Sequence, residues 1–363
     1  MGLWQRIGRA TQTRPAIVFR WDLDKTYLQT DFDSLRGLVR VPFEKPEDKV
    51  AVPGVVPLIR GLREAAAHAG REAQIFFISA SPAQLAKPIK QKLALDGIAY
   101  DGIVFKDQLG HLVRGRFRSL REHVGFKLTE LLKSRRTMPA ASREVLFGDD
   151  WESDPIIYSL YADILAGRID SEEVGEVLRL IGVHPASIAE AKDLAATAER
   201  GDAVMRIYIS LERRTPPTRF RSFGSRLVPT FNYLQTAVCL FADGYLALPA
   251  VAQVAESLIE NAGYTPSALV NSVADLVRRG HVPEAPSLAV RAFLSARGLM
   301  PAEGRRGLAA AVWQRVASWS RPAGTPARPA TDTIDYHTLV SQWRGVRLRT
   351  SRPAGQQTID DGD

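Results

Sequence analysis

Cysteine is nearly absent from this 363-residue chain: Cys239 stands alone, so no disulfide can form within it. A chain of this length can bury a sizeable core without such a staple. The lone cysteine fits a reducing compartment, and we expect a cytoplasmic protein. Long apolar runs are lacking too. The longest, Thr236 to Ala255, is interrupted by Asp243-Gly244 and Pro249, which suits two packed helices better than a membrane span. The N-terminal Met1-Gly2-Leu3-Trp4-Gln5-Arg6-Ile7 has no secretion-signal core. Arg6 also stands where a myristoylation start wants Ser or Thr. The six histidines show no H-E-x-x-H spacing. A Walker-type glycine loop and a G-x-S-x-G elbow are missing as well.

What is present is an ordinary globular composition, 45% hydrophobic and 24% charged, with a net charge of +8. The positive excess favours negatively charged partners: phosphorylated substrates, anionic lipid or nucleic acid. Part of it is local, in Arg213, Arg214, Arg219, Arg221 and Arg226. Aromatics interleave there only as Phe220, Phe223 and Phe231, so nucleic acid is the weakest of the three partners.

The N-terminal half alternates strand-like and helix-like segments, the pattern of a parallel sheet covered by helices. Strands are expected over Ala16–Asp22, Gln74–Ile78, Gly102–Phe105, Glu144–Phe147 and Ala203–Ser210. Helices are expected over Pro53–His68, Ala83–Leu95, from Lys127 and over Pro155–Tyr161. Three of the strands end in Asp22, Ser79 and Asp149, and such sheets carry their chemistry at the carboxyl ends of strands. From Thr215 the composition changes to a Pro- and Arg-rich stretch that reads as a linker. Beyond Phe231, prolines at first-turn positions (Pro249, Pro266, Pro286, Pro301) mark a run of helices. We therefore divide the chain into an α/β domain, 1–214, a basic linker, 215–230, a helical domain, 231–320, and a largely flexible tail, 321–363. Within the tail, Tyr336–Arg347 has the pattern of one short helix.

Asp22-Leu23-Asp24-Lys25-Thr26 follows a strand directly. Two carboxylates aimed at one site can divide phosphoryl transfer: Asp22 attacks phosphorus, and Asp24 protonates the leaving oxygen and later deprotonates water. Gly148-Asp149-Asp150-Trp151-Glu152-Ser153-Asp154 is a second acidic cluster at a second strand end. Asp149 would join Asp22 around Mg²⁺, which favours one or two carboxylates with water and phosphate. Asp150 could exchange roles with Asp149. Asp154 is either a second ligand or a helix-start acid facing backbone N–H groups. Ser79 and Ser81 can offer hydroxyls to a phosphate. Lys127 can neutralise it, with Lys106 as the rival lysine.

In this order the four pieces resemble the haloacid dehalogenase (HAD) superfamily: D-x-D-x-T at Asp22–Thr26, a strand-end Ser at Ser79, a Lys at Lys127, and G-D-x(3–4)-D from Gly148 to Asp154. Ser79-Ala80-Ser81-Pro82 and Gly148-Asp149…Asp154-Pro155-Ile156-Ile157-Tyr158 are similar to its phosphatidate-phosphatase-like branch. Two positions depart from that branch. Lys25 stands where it has an acid, and Asp150 where it has Ser. The resemblance implies a HAD-like Rossmannoid core with a central parallel sheet, followed here by the all-α region. It also implies a phosphatase forming an aspartyl phosphate, with Mg²⁺ held by the Asp22 carboxylate, the Asp24 carbonyl and Asp149, and with Thr26 in the catalytic set. The stretch between Thr26 and Pro53 has room for a flap but no large lid. A capless site of that kind suits a bulky phosphoester such as a phospholipid, with peripheral membrane contact left open. The competing expectation is an inactive HAD-like module whose helical half recruits a partner.

Overall fold

A computed structural model describes residues 5–6, 16–29, 49–106, 116–151, 153–301 and 333–342. Its centre is a sheet of seven strands in the order β1-β4-β3-β2-β5-β6-β7. These are β1 (Gln5–Arg6), β2 (Ile17–Asp22), β3 (Ala73–Pro82), β4 (Gly102–Lys106), β5 (Arg143–Asp149), β6 (Val204–Ser210) and β7 (Leu227–Thr230). Six strands run parallel, and the two-residue β1 is an antiparallel edge. The six parallel strands are doubly wound. The chain starts in the middle, builds outward through β3 and β4, then returns to the other side of β2 for β5, β6 and β7. Between β2 and β5 the winding reverses, which opens a crevice at their carboxyl ends. The expected α/β architecture is borne out.

Strand sequence explains which face each side chain takes. In β2, Phe19 and Trp21 point to one face; Arg20 and Asp22 point to the other, as a two-residue period requires. Trp21, Phe147 and Tyr208 are register neighbours on β2, β5 and β6. Trp21 stacks on Phe147 with ring centroids 3.7 Å apart, and Phe147 stacks on Tyr208 at 5.4 Å. Each such pair adds about 0.5–1.5 kcal/mol beyond its buried area. This aromatic ladder stiffens the sheet just below the crevice.

The Trp21 face is covered by α1 (Val55–His68), α2 (Ala86–Leu95), which continues a 3-10 turn at Ala83–Leu85, and the C-terminal helices α7 (Tyr233–Ala242), α8 (Leu248–Ala262), α9 (Pro266–Arg278) and α10 (Glu284–Ala296). Sheet, α1 and these helices share one continuous apolar cluster. The opposite face is covered by α3 (Arg116–Arg135), α4 (Asp154–Ala166), α5 (Ser171–Ile181) and α6 (Pro185–Ala196). The short helix expected in the tail is seen over 336–342. It lies on this second face, with Tyr336, Leu339 and Val340 buried and the Tyr336 hydroxyl donating to Asp163 Oδ2 at 2.7 Å.

The stretch read as a basic linker is built into the sheet. It holds a 3-10 helix, Pro217–Phe223, and β7. Phe220 and Phe223 are buried in the second core, and Arg219 and Arg221 beside them are exposed. Composition alone hid this strand, because it is four residues long, contains Pro229 and follows an arginine-rich run; proline is tolerated on an edge strand such as this. Most of the expected flap (residues 30–48), the helix expected at Pro301, and residues 321–332 and 343–363 of the tail lie outside the described residues. Among the described residues, no helix is long and apolar enough to cross a membrane.

Candidate active site

Asp22 ends β2, between Ile78 of β3 and the carboxyl end of β5. The chain then folds into a tight turn: Lys25 N donates to the Leu28 carbonyl at 2.9 Å, and both Tyr27 N and Leu28 N reach the Leu23 carbonyl. Lys25 takes the left-handed conformation, φ 61°, at a cost of roughly 1–2 kcal/mol for a residue with a Cβ. The turn brings Asp24 back over the sheet edge. Its Oδ2 accepts from Ser81 Oγ at 2.7 Å and from Ser79 Oγ at 3.1 Å. The Ser79 hydroxyl accepts in turn from Ser81 N at 3.0 Å. In this state the two serines point at Asp24.

Asp149 ends β5, and its Oδ1 accepts from Trp151 N at 2.6 Å. Asp154 opens α4. Its carboxylate turns inward, with Oδ2 accepting from Asp149 N at 3.4 Å. Asp154 is therefore more than a helix-start acid. Gly148 makes this approach feasible, because a Cβ there would lie 2.4 Å from Asp154 Oδ2 and 2.7 Å from its Cβ. Ligand oxygens of Asp22, Asp149 and Asp154 all lie within 4.8 Å of one another, and all three residues are buried. Acids 127 and 132 residues downstream of the first thus meet at one point.

Lys127, fully buried on α3, bridges two of them: its Nζ is 2.7 Å from Asp22 Oδ1 and 2.7 Å from Asp154 Oδ1. Lys106, at the end of β4, is also buried and pairs in register with Pro82. The field of these charges reaches Tyr158. Burial and then the Asp154 carboxylate push its hydroxyl far above the usual phenol range, and it donates to the Phe147 carbonyl at 3.3 Å. The donor set is what a hard divalent cation takes: carboxylate oxygens clustered on rigid strand ends, with one lysine offsetting part of their charge. The residues present fit such an ion.

Asp150 turns elsewhere. Its Oδ1 accepts from Arg213 N at 2.8 Å and its Oδ2 from Thr215 N at 3.2 Å, so it shapes the turn after β6. Local sequence could not separate it from Asp149, since the decisive partners are more than sixty residues away. A second feature escaped sequence reasoning for the same reason. Thr26 is buried, and its carbonyl accepts from the Tyr233 hydroxyl at 2.6 Å across 207 residues. Burial raises the Tyr233 hydroxyl above the usual phenol range and keeps it a donor. The helical half thus grips the turn that carries Asp24.

No curated protein matches the chain closely enough to count as a relative. Residues 21–171, under half of the chain, end within the start of α5 and include all the acids above as well as Ser79, Ser81 and Lys127. That segment matches the family model described as phosphatidate phosphatase APP1, catalytic domain, which bears out the resemblance its motifs show to the phosphatidate-phosphatase-like branch.

Proposed function

We propose that this chain is a magnesium-dependent phosphatase of HAD type, cytoplasmic, acting on a phosphomonoester through an aspartyl phosphate on Asp22. The observation that carries the reading is the meeting of Asp22, Asp149 and Asp154 with Lys127 at the crevice between β2 and β5. The family match supports a phosphorylated lipid as the substrate class.

Asp22, Asp149 and the Asp24 carbonyl would hold Mg²⁺, with Asp154 as a further ligand or the anchor of a bound water. When bound, the ion supplies charge neutralisation between the phosphoryl oxygens and the Asp22 carboxylate. An oxygen of Asp22 bonds to phosphorus as the bond to the leaving oxygen breaks. That oxygen takes its electron pair and a proton from Asp24. Water then attacks phosphorus and passes its proton to Asp24, the Asp22–phosphorus bond breaks, and phosphate leaves. Acid–base help of this kind contributes typically about 10²–10⁴-fold. Lys127 holds Asp22 in place and offsets charge on the phosphoryl group. Ser79 and Ser81 orient Asp24 and offer hydroxyls to a phosphoryl oxygen. Thr26 fixes the turn through the carbonyl that Tyr233 holds.

The test is phosphate release from p-nitrophenyl phosphate and from phosphatidate in mixed micelles, with and without magnesium, compared with Asp22→Asn. Magnesium-dependent release that Asp22→Asn abolishes is expected. Undiminished release by the variant would refute the assignment. Magnesium binding without turnover of any phosphoester would favour the inactive interaction module.

A further inference from the structure

The two positions at which the motifs depart from the branch pattern, Lys25 and Asp150, meet in one structural device. Asp150, by accepting from Arg213 N and Thr215 N, sets the turn after β6. In that turn Arg214 takes φ 55°, and the Arg213 guanidinium lies over the Trp151 ring, 4.5 Å from its centroid. The left-handed turn at Lys25 sends its ammonium to the same ring, 3.7 Å from the centroid. Two cations on one indole repel each other, and contact with the ring offsets only part of that, about 0.5–1 kcal/mol per exposed cation. Among the described residues neither makes an ion pair with a carboxylate. Glu212, the neighbouring acid, accepts from Ser210 Oγ at 3.0 Å and feels the Lys25 charge through space without pairing with it. Arg213 is exposed, and Lys25 and Trp151 are half-buried.

The cluster is tied directly to the acids. Lys25 follows Asp24 in the chain, and Trp151 N donates to Asp149 Oδ1. From this geometry we propose that Lys25 and Arg213, presented on Trp151, form an anion subsite at the mouth of the active site that takes a second phosphate-type group beside the scissile one. The proposal rests on the phosphatase reading for what the subsite does, though its binding chemistry stands apart from turnover. The second group has two sources: a further phosphate on the substrate itself, or the headgroup of a neighbouring anionic lipid.

Three arms separate these. In the first, calorimetry compares propane-1,3-bisphosphonate with propylphosphonate at fixed free magnesium. The second phosphonate is expected to tighten binding by about tenfold, as two charge-assisted contacts at a partly exposed site allow. That gain should vanish in Lys25→Gln/Arg213→Gln and return in Lys25→Arg. In the second arm, flotation measures binding to phosphatidylserine and to phosphatidylcholine vesicles, with the same variants. In the third, kcat/KM is compared for a phenyl phosphate and for the same ester carrying a second phosphate on its leaving group. Arg213→Gln alone, at an exposed position, keeps the test open if the double variant misfolds.

A bisphosphonate gain lost in the variants assigns the subsite to the substrate. No gain, but phosphatidylserine binding that the variants lose, assigns it to the headgroup. If neither binding readout responds to the variants, the subsite does not exist. If binding responds but no phosphoester is turned over, the subsite stands and the phosphatase reading falls.

Discussion

Two buried charge networks lie along the same strands, two residues apart along β2 and five along β5. At Arg20 and Glu144 the groups satisfy one another. Arg20 Nε is 2.6 Å from Glu144 Oε2, and Arg135 Nη1 is 3.2 Å from Glu144 Oε1. The Tyr161 hydroxyl donates to both Glu144 oxygens, at 3.0 and 3.1 Å, and the surplus guanidinium N–H groups go to Ser134 Oγ and to the Ser142 and Ala140 carbonyls. At Asp22, Asp149 and Asp154, like charges are instead gathered within 4.8 Å, and Asp22 and Asp154 share one lysine. The first arrangement suits holding a fold together, since each charge meets an opposite charge or a carbonyl. The second suits holding an ion and a phosphoryl group, since carboxylates gathered this closely repel one another and a cation among them offsets that repulsion. Burial alone does not distinguish a functional charge from a structural one. The sign of its neighbours does.

Substitutions can break that contrast, beginning with the largest effect. Asp22→Asn should lower phosphate release by about 10³-fold or more, the scale seen when a nucleophile is removed. Its urea midpoint in the absence of metal should stay level or rise, because a like charge has gone. Glu144→Gln should do the reverse. It leaves two buried guanidinium groups without their carboxylate, which costs about 3–5 kcal/mol, readable as a lower urea midpoint. The folded fraction should keep its turnover number. If Glu144→Gln abolished turnover at unchanged stability, the division between the two networks would be wrong.

Smaller effects sharpen the picture. Gly148→Ala must push Asp154 aside, and magnesium affinity measured by calorimetry should fall by about 10–100-fold, as for other groups that orient a ligand. Unchanged affinity would mean that Asp154 plays no part in holding the ion. Tyr233→Phe removes one hydrogen bond to Thr26, worth about 0.5–1.5 kcal/mol. We expect that loss in a denaturant titration, together with a several-fold drop in kcat at constant KM. A change in stability alone would show that the helical half supports the fold without positioning the turn.

Asp22 and Asp149 were legible because each ends a short apolar strand, and a parallel sheet collects strand ends on one edge. Asp22, Ser79 and Asp149 came together for that reason. Side-chain pairing across the fold was beyond local pattern. Nothing near Asp150 reveals that it caps the turn at Arg213, and nothing near Thr26 reveals Tyr233. Lys106 closes a plausible strand and Lys127 lies on a plausible helix. The ion pairs with Asp22 and Asp154 belong to Lys127 because α3 crosses the second face beside α4. The helices α5 and α6, absent from the expected elements, do carry local signals: in α5 an apolar stripe at Val174, Val177, Leu178 and Ile181 with a capping box at Asp170 and Glu173, and in α6 Pro185 in the first turn. β7 lacks even those.

The central claim is that three carboxylates from separate parts of the chain share one divalent cation. Magnesium titration followed by thermal unfolding, on the wild type and on Asp149→Asn, tests it most directly. Magnesium should raise the wild-type midpoint and leave the variant's almost unmoved, with the variant the more stable of the two in chelator. Equal stabilisation of both proteins by magnesium would contradict it.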